Sequence, residues 1–519
     1  MKKSLYLVLI ATLVLALSGI SQAATPVSKT GVYYEIFVRS FYDSNGDGIG
    51  DLRGVTKKLD YIQSLGVKGI WLMPITNSPS YHGYDTTDYY NINPDYGTIA
   101  DLQALVTAAH KRHIKVIMDL VVNHTSSQHP WFVDAVSDPN SKYRNYYIFA
   151  KDGQDTSDQS AAGSGDAWHD SAGGKYVGIF WSGMPDLNFD NPAVRTEIIK
   201  VGQFWLKKGV DGFRLDAAKH IYEDFSNGSI YKDNANAKSV AWWKQFRTGM
   251  NAVNKNAYIV GEIWDSPVVV GKYIKGALNA GFNFDLAKQL ISAASGESDG
   301  GIAFYLSNIA RYYKNQLGIS NYVDAPFLTN HDQNRVMSQL DGNTNHAKMA
   351  ASLLLTLPGN PFLYYGEEIG MQGVKPDEAL RTPMIWNANG ATGQTTAMDG
   401  YFDQASNVSV SAQTGKPTSL LEHYKKMVKL RNSDYTLSDG SIGEYDTGVD
   451  GIASWTRSGG GVNTLVVHNL TGKAKVITIN QADISPLKFS KIKFSSKTGS
   501  KYSKNKLTIP AYSTIIMKK

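Results

Sequence analysis

Four acidic residues stand at the ends of short apolar runs: Asp119 in DLVVNH, Asp216 in GFRLDAAKH, Glu262 in GEIW and Asp332 in FLTNHD. One carboxylate at a strand end commonly caps a helix or pairs structurally. Four from separate strands, converging on one face, bring like charges together, which is tolerated mainly where chemistry requires it. Arg214 and Asp216 are two apart on one run, so their side chains point to the same side. A guanidinium there favours the ionised carboxylate that a nucleophile needs; a plain structural Arg–Asp pair is the alternative reading. Glu262 has no basic neighbour in sequence and stands beside Ile263 and Trp264. That setting favours holding a proton and suits a general acid. One carboxylate kept charged and one kept protonated is the equipment for splitting a glycosidic bond through a covalent intermediate.

Such residues need a frame that delivers them to one place. Apolar runs at 32–38, 69–74, 115–122, 212–217, 257–263, 281–286, 324–330 and 360–366 alternate with helical patterns. One pattern is Leu52, Val55, Leu59, Ile62 and Leu65, closed by Gly66 as a C-cap. Eight such units predict an α/β fold, a (β/α)8 TIM barrel with its site at the carboxyl ends of the strands. The interval 125–190, rich in Gly, Ser, Asp, Trp and Tyr, is too long for a simple loop between strand 3 and helix 3. It predicts an inserted domain that walls one side of the cleft. After 433, period-two runs at 464–467, 475–479, 506–509 and 514–517 predict a C-terminal antiparallel β-sandwich domain. The expected division is a leader at 1–24, the barrel at 25–124 and 191–433, the inserted domain at 125–190 and the C-terminal domain at 434–519.

Of 519 residues, 42% are hydrophobic and 19% charged, an ordinary globular composition. A net charge of +6 over this length is too thin to imply nucleic acid. The 30 Tyr and 10 Trp offer flat faces of the kind that sugar rings pack against. With no cysteine, disulfides, thiolate metal sites and a cysteine nucleophile are excluded. Lys2 and Lys3, the apolar run 5–17 and Ser21-Gln22-Ala23 form the pattern of a cleavable signal peptide. That run is shorter than the roughly 20 residues a spanning helix needs. The chain is therefore expected to be secreted and extracellular, with no membrane association once the leader is removed.

The segment DSNGDGIGD sets oxygen donors at alternate positions, as calcium loops do. The donors are Asp43, Asn45, Asp47, the Ile49 carbonyl and Asp51, with Gly48 allowing the turn. Its twelfth position is Gly54, so it is not an EF-hand. A polar Asp/Gly turn is the alternative.

With these residues assembled, the chain after its leader closely resembles glycoside hydrolase family 13, the α-amylase family. The segments 119–124, 212–220, 261–264 and 327–332 are similar to the four family blocks, in order. MPDLN at 184–188 is similar to the block near the end of the inserted domain, and GNPFLYYGEE at 359–368 to the eighth strand. The resemblance implies that Asp216 is a nucleophile forming a covalent glucosyl intermediate. It implies that Glu262 is the acid and then the base, and that Asp332 grips the 2- and 3-hydroxyls of a distorted sugar. By the same resemblance Arg214, His124 and His331 orient the nucleophile and the sugar hydroxyls. Tyr84, in YHGYD, would stack on the sugar before the scissile bond, with His82 bonding its 6-hydroxyl. Lys219 and His220 would face the leaving-group sugars, and Asp119 joins this substrate-binding set. Calcium is implied at one or two sites. The 43–51 loop is similar to one that binds calcium or magnesium in the oligo-1,6-glucosidase-like branch. The second site, between barrel and inserted domain, would use Asn123, Asp186 and the His220 carbonyl, with a further acid among Asp134, Asp138, Asp166 and Asp170.

The expected activity is retaining endo-hydrolysis of α-1,4-glucosidic bonds in an α-glucan polysaccharide or maltooligosaccharide, by a monomer. DSNGDGIGD and MPDLN look oligoglucosidase-like, while YHGY and the Lys219–His220 pair look amylase-like. Ala217 stands where oligo-1,6-glucosidases typically carry Val, which favours α-1,4 linkages. The alternatives are an α-glucosidase, a neopullulanase or a transglycosylase. More remote is a non-catalytic glucan-binding or transporter-associated member of the fold, against which stands the complete trio of carboxylates.

Overall fold

The computed structural model describes residues 30–160, 162, 165–222, 235–387, 392–398, 408–480 and 487–519; the expected leader lies outside them. Seven short parallel strands form one sheet: β1 (Tyr33–Ile36), β2 (Gly69–Leu72), β3 (Lys115–Leu120), β4 (Gly212–Leu215), β5 (Tyr258–Gly261), β6 (Ala280–Gly281) and β7 (Phe362–Tyr364). Their order is β6-β5-β4-β3-β2-β1-β7. The segment expected as strand 324–330 closes the ring through two parallel bridges, Phe282↔Ala325 and Phe327↔Phe362. Pro326 lies between the bridged residues and has no N–H for a longer ladder. The expected strand 281–286 is also cut short. Asn283 accepts from the Leu286 N–H at 3.1 Å and caps the helix Phe284–Ser295.

Period-two alternation sorts strand residues between two cores. Tyr33, Trp71, Ile117, Val260 and Phe362 fill the barrel, while Tyr34, Ile70, Val116, Phe213 and Ile259 pack outward against helices. At the start of β4 the backbone is so close to its neighbour that a Cβ on Gly212 would lie 1.8 Å from the Tyr258 carbonyl oxygen. The first helical run breaks into Leu52–Lys57 and Leu59–Ser64, with Asp51 capping the first piece and Gly66 at φ +82° after the second.

Between β3 and the helix Pro192–Lys207 lies the inserted unit, with the helix Pro130–Ser137, an antiparallel pair Trp168–His169 and Tyr176–Val177, and a small core of its own. It is tied to the end of β3 by the Leu187 N–H on the Asn123 carbonyl at 2.9 Å and the Thr125 N–H on Pro185 at 3.1 Å. The C-terminal part is a five-stranded antiparallel sheet in the order Ser441–Glu444, Ile452–Gly459, Val462–Asn469, Ser513–Lys518, Lys491–Ser495. A three-stranded sheet of Lys475–Thr478, Lys506–Ile509 and Lys501–Ser503 faces it across Leu465, Ile477, Leu507 and Ile515. Among the described residues no helix is long and apolar enough to cross a membrane.

Candidate active site

At the carboxyl ends of the strands, the inward positions that carry Trp71 and Ile117 lower down carry charge. Asp119 pairs in register with Arg214, and Arg214 with Val260. Arg214 is 1% exposed and organises the cluster. Its Nη1 donates to Asp216 Oδ1 at 2.6 Å and to Asp119 Oδ1 at 2.9 Å, and its Nη2 to Glu262 Oε2 at 2.8 Å. Glu262 Oε2 also accepts the Ala217 N–H at 3.0 Å. Ala217 sits at φ +45°, an uncommon conformation for a residue with a Cβ, directly after Asp216.

This corrects the apolar setting expected for Glu262. Ile263 turns into the outer core, and Trp264 is 48% exposed and stacks on Phe284 with ring centroids 4.3 Å apart. Glu262 lies on the guanidinium instead, which adjacency in sequence could not reveal because the contact crosses from β4 to the end of β5.

A second cluster faces the first. His331 is fully buried, with Nδ1 2.5 Å from Glu35 Oε1 and Nε2 3.0 Å from Asp332 Oδ2 and 2.6 Å from the Tyr84 hydroxyl. The Tyr84 ring stacks on that imidazole at 5.4 Å, and its hydroxyl donates to Asp119 at 3.1 Å. Arg381 donates to Asp332 Oδ1 at 2.8 Å, Asp377 Oδ2 at 3.1 Å and the His331 carbonyl at 3.0 Å. Glu35 and Arg381 were missed in the sequence. The signal for Glu35 was an acid in an apolar strand, YYEI, at an inward-facing position.

Burial lifts both Asp216 and Glu262 above the ordinary carboxyl range, and Arg214 pulls each back. The guanidinium expected beside Asp216 is there, and it serves Asp119 and Glu262 as well. Asp332 raises both Asp216 and Glu262 further, while His331 lowers Asp216 and the Ala217 N–H lowers Glu262. Burial would lower His331, but Asp332 and Glu35 outweigh it and raise the imidazole to about 9. Burial would raise Asp332, but His331 and Arg381 hold it far below the usual range.

Asp216, Glu262 and Asp332 share one cleft of about 760 Å³ with His82, Tyr84 and His124. Lys219 and His220 also line it, Lys219 paired with Asp265 at 3.0 Å. Burial lowers His124 and His220 to about 4, so both rings are neutral near pH 7. His124 Nε2 lies 3.0 Å from the Tyr84 carbonyl, and His82 Nδ1 accepts the Tyr84 N–H at 3.1 Å. Asp119 differs from the substrate-contacting role expected of it. Its side chain is fully enclosed by Arg214, Tyr84 and the Trp71 indole N–H at 3.3 Å, and burial lifts it to about 7 against Arg214. Arg214 and His331 are likewise enclosed beneath the cleft.

The two candidate cation sites fit in the chemistry of their donors. In the 43–51 loop Asp43 accepts the Gly46 and Gly48 N–H groups at 2.6 and 2.8 Å, Asp47 accepts the Ile49 N–H at 2.8 Å, and Asp51 accepts from Ser44 and Gly54. All these donors are hard oxygens, suited to calcium. Asp186 is buried, and its carboxylate accepts only long bonds, from Asn123 Nδ2 at 3.3 Å and Ile179 N–H at 3.4 Å. Burial raises it well above the ordinary range. Among the described residues no three His, Asp or Glu side chains gather as a metal cluster.

A family model described as Alpha amylase, catalytic domain, matches residues 35–440, and one described as Alpha-amylase SusG C-terminal domain matches 452–516. Alpha-amylase 3 of Dictyoglomus thermophilum is 40% identical over 520 residues, spanning 99% of this chain and 98% of its own. An oligo-1,6-glucosidase of Parageobacillus thermoglucosidasius is 32% identical, spanning 87% and 92%. The crystal structure of an α-amylase from H. orenii superposes with a TM-score of 0.86 at 44% identity, covering 95% of this chain and 99% of that one. Barrel, appended sheets and matched residues agree, and the chain belongs to the α-amylase family of glycoside hydrolases.

Proposed function

We propose that this chain is a retaining, endo-acting α-amylase that hydrolyses α-1,4-glucosidic bonds in starch-like glucans. The observation that carries the reading is one guanidinium holding Asp216 and Glu262 on its two terminal nitrogens, in a cleft that also presents Asp332. Asp216 attacks the anomeric carbon as Glu262 gives its proton to the leaving oxygen, which departs as an alcohol. Glu262, now charged, takes a proton from water, whose oxygen displaces Asp216 and restores both groups. Asp332, kept charged by His331 and Arg381, accepts hydrogen bonds from sugar hydroxyls as positive charge develops on the ring.

Ala217 lines the cleft directly after Asp216, and its standing where oligo-1,6-glucosidases typically carry Val supports the α-1,4 reading. Relatives named oligo-1,6-glucosidase and 4-alpha-glucanotransferase keep α-glucosidase and transglycosylase activity as the second reading, since sugar can replace water at the same intermediate. Calcium would be held by Asp43, Asn45, Asp47, Ile49 and Asp51, and by Asn123, Asp186 and the His220 carbonyl. There it would supply charge that fixes the loop and the inserted unit. A cleaved leader at 1–24 would send the chain to where polymeric glucan is met, and amino-terminal sequencing of protein from culture medium checks it.

Reducing-sugar release from starch by the purified protein tests the function. Glu262→Gln should lower kcat by about 10²–10⁴-fold, the usual range for a general acid. Undiminished activity in that variant would end the acid assignment.

A further inference from the structure

Trp181 stands 52% exposed on the wall that the inserted unit gives to the cleft. Displaying an indole to water forgoes the stabilisation its burial would bring, yet the chain around it is built to hold it still. The Met184 N–H donates to the Trp181 carbonyl at 2.9 Å and closes a tight turn. The Ser127 N–H binds the Gly183 carbonyl at 2.8 Å, and the Tyr176 hydroxyl binds the Ser182 carbonyl at 2.5 Å. The indole lies folded over Gly183, where a Cβ would come within 2.1 Å of the ring. Phe180, the preceding residue, is set edge-on against His124 and His220, with centroids 5.1 and 6.1 Å away. A rigid, half-open aromatic face in a cleft is the usual platform for a flat apolar surface.

We infer that Trp181 is a binding platform for a glucose ring in the leaving-group half of the glucan, beyond the sugar next to the scissile bond. It thereby sets a preference for long chains over short ones. The inference rests on the α-glucan reading above, including the leaving-group side that the family resemblance gives Lys219 and His220; Phe180, beside Trp181, lies against both His124 and His220. Gly183 has a dependent role, since its missing side chain is what lets the indole lie flat.

Steady-state kinetics on maltoheptaose and on 4-nitrophenyl α-maltoside test it, with melting curves to show that each variant is folded. Trp181→Ala should raise KM for maltoheptaose about tenfold with kcat within about twofold, equivalent to about 1.4 kcal/mol. On the nitrophenyl substrate, whose leaving group is too short to reach the platform, kcat/KM should change by less than about threefold, because no stacking contact with the indole is made there to be lost. Gly183→Ala keeps the indole but displaces it, so it should raise KM on maltoheptaose in the same way, and Trp181→Tyr should restore part of the loss. An unchanged KM on maltoheptaose in Trp181→Ala, or equal losses on the two substrates, would overturn the inference. A wild-type protein inactive on both substrates would overturn the underlying α-glucan reading instead.

Discussion

Arg214 sets the charge balance of the cleft, because three carboxylates share its guanidinium. His331, which lies in the field of Asp216, is itself kept cationic by Glu35 and Asp332. His331 is raised in the folded state, so its stabilising contribution is complete below the ordinary histidine value and is lost as pH rises through about 9. Glu35→Gln removes one of the two anions that hold that proton. The His331 imidazole, followed by NMR of its ring protons, should then titrate about one pH unit nearer neutrality; an unmoved titration would show that Glu35 only fills space. The strand-end acids could be read from sequence because each closes an apolar run. Glu35, Arg381 and the link from Arg214 to Glu262 could not, because they depend on which residues face each other across neighbouring strands.

Among the elements, the turn after β7 carries an unusual burden. Glu367 and Glu368 are both buried there, Glu368 accepting from the Tyr34 and Tyr61 hydroxyls at 2.6 Å and Glu367 from Tyr424 at 2.7 Å. Burial pushes Glu367 up to about 8. A carboxyl raised on folding makes stability fall as pH climbs from the ordinary carboxyl value through about 8, because the folded state alone keeps the proton. Glu367→Gln should flatten the alkaline fall in melting temperature, gaining roughly 1–3 kcal/mol at pH 9 over wild type. An unaltered alkaline limb would contradict this. The cation loops belong to the same scale. Chelation should lower the melting temperature, since a bound cation stabilises only the folded state, and added calcium should restore it. An unchanged melting curve after exhaustive metal removal would count against both sites. Most elements were legible from period and punctuation. The sixth and seventh strands were overdrawn because Asn283 starts a helix early and Pro326 withholds an N–H.

For the whole molecule, the joint between barrel and C-terminal sheets rests on buried arginines that bond to carbonyls. Arg457 donates to the Thr356 and Gly440 carbonyls at 2.5 and 2.7 Å, and Arg431 to Leu357 and Gly359, both at 2.5 Å. Arg457→Leu strands two buried carbonyls and should cost roughly 2–4 kcal/mol; a loss below the scatter of surface substitutions would show that the joint is held by apolar packing alone. Nothing in the spacing of Arg431 or Arg457 marks them in sequence, because their partners lie at the end of the helix Thr344–Thr356, in the segment after it, and at Gly440 after the helix Tyr435–Asp439. The central claim also concerns the whole cleft: Asp216 and Glu262 act on one sugar from opposite sides. Proton NMR of the first sugar released from a maltooligosaccharide, recorded before mutarotation, measures it most directly. The account predicts the α-anomer; an initial β-anomer would contradict it.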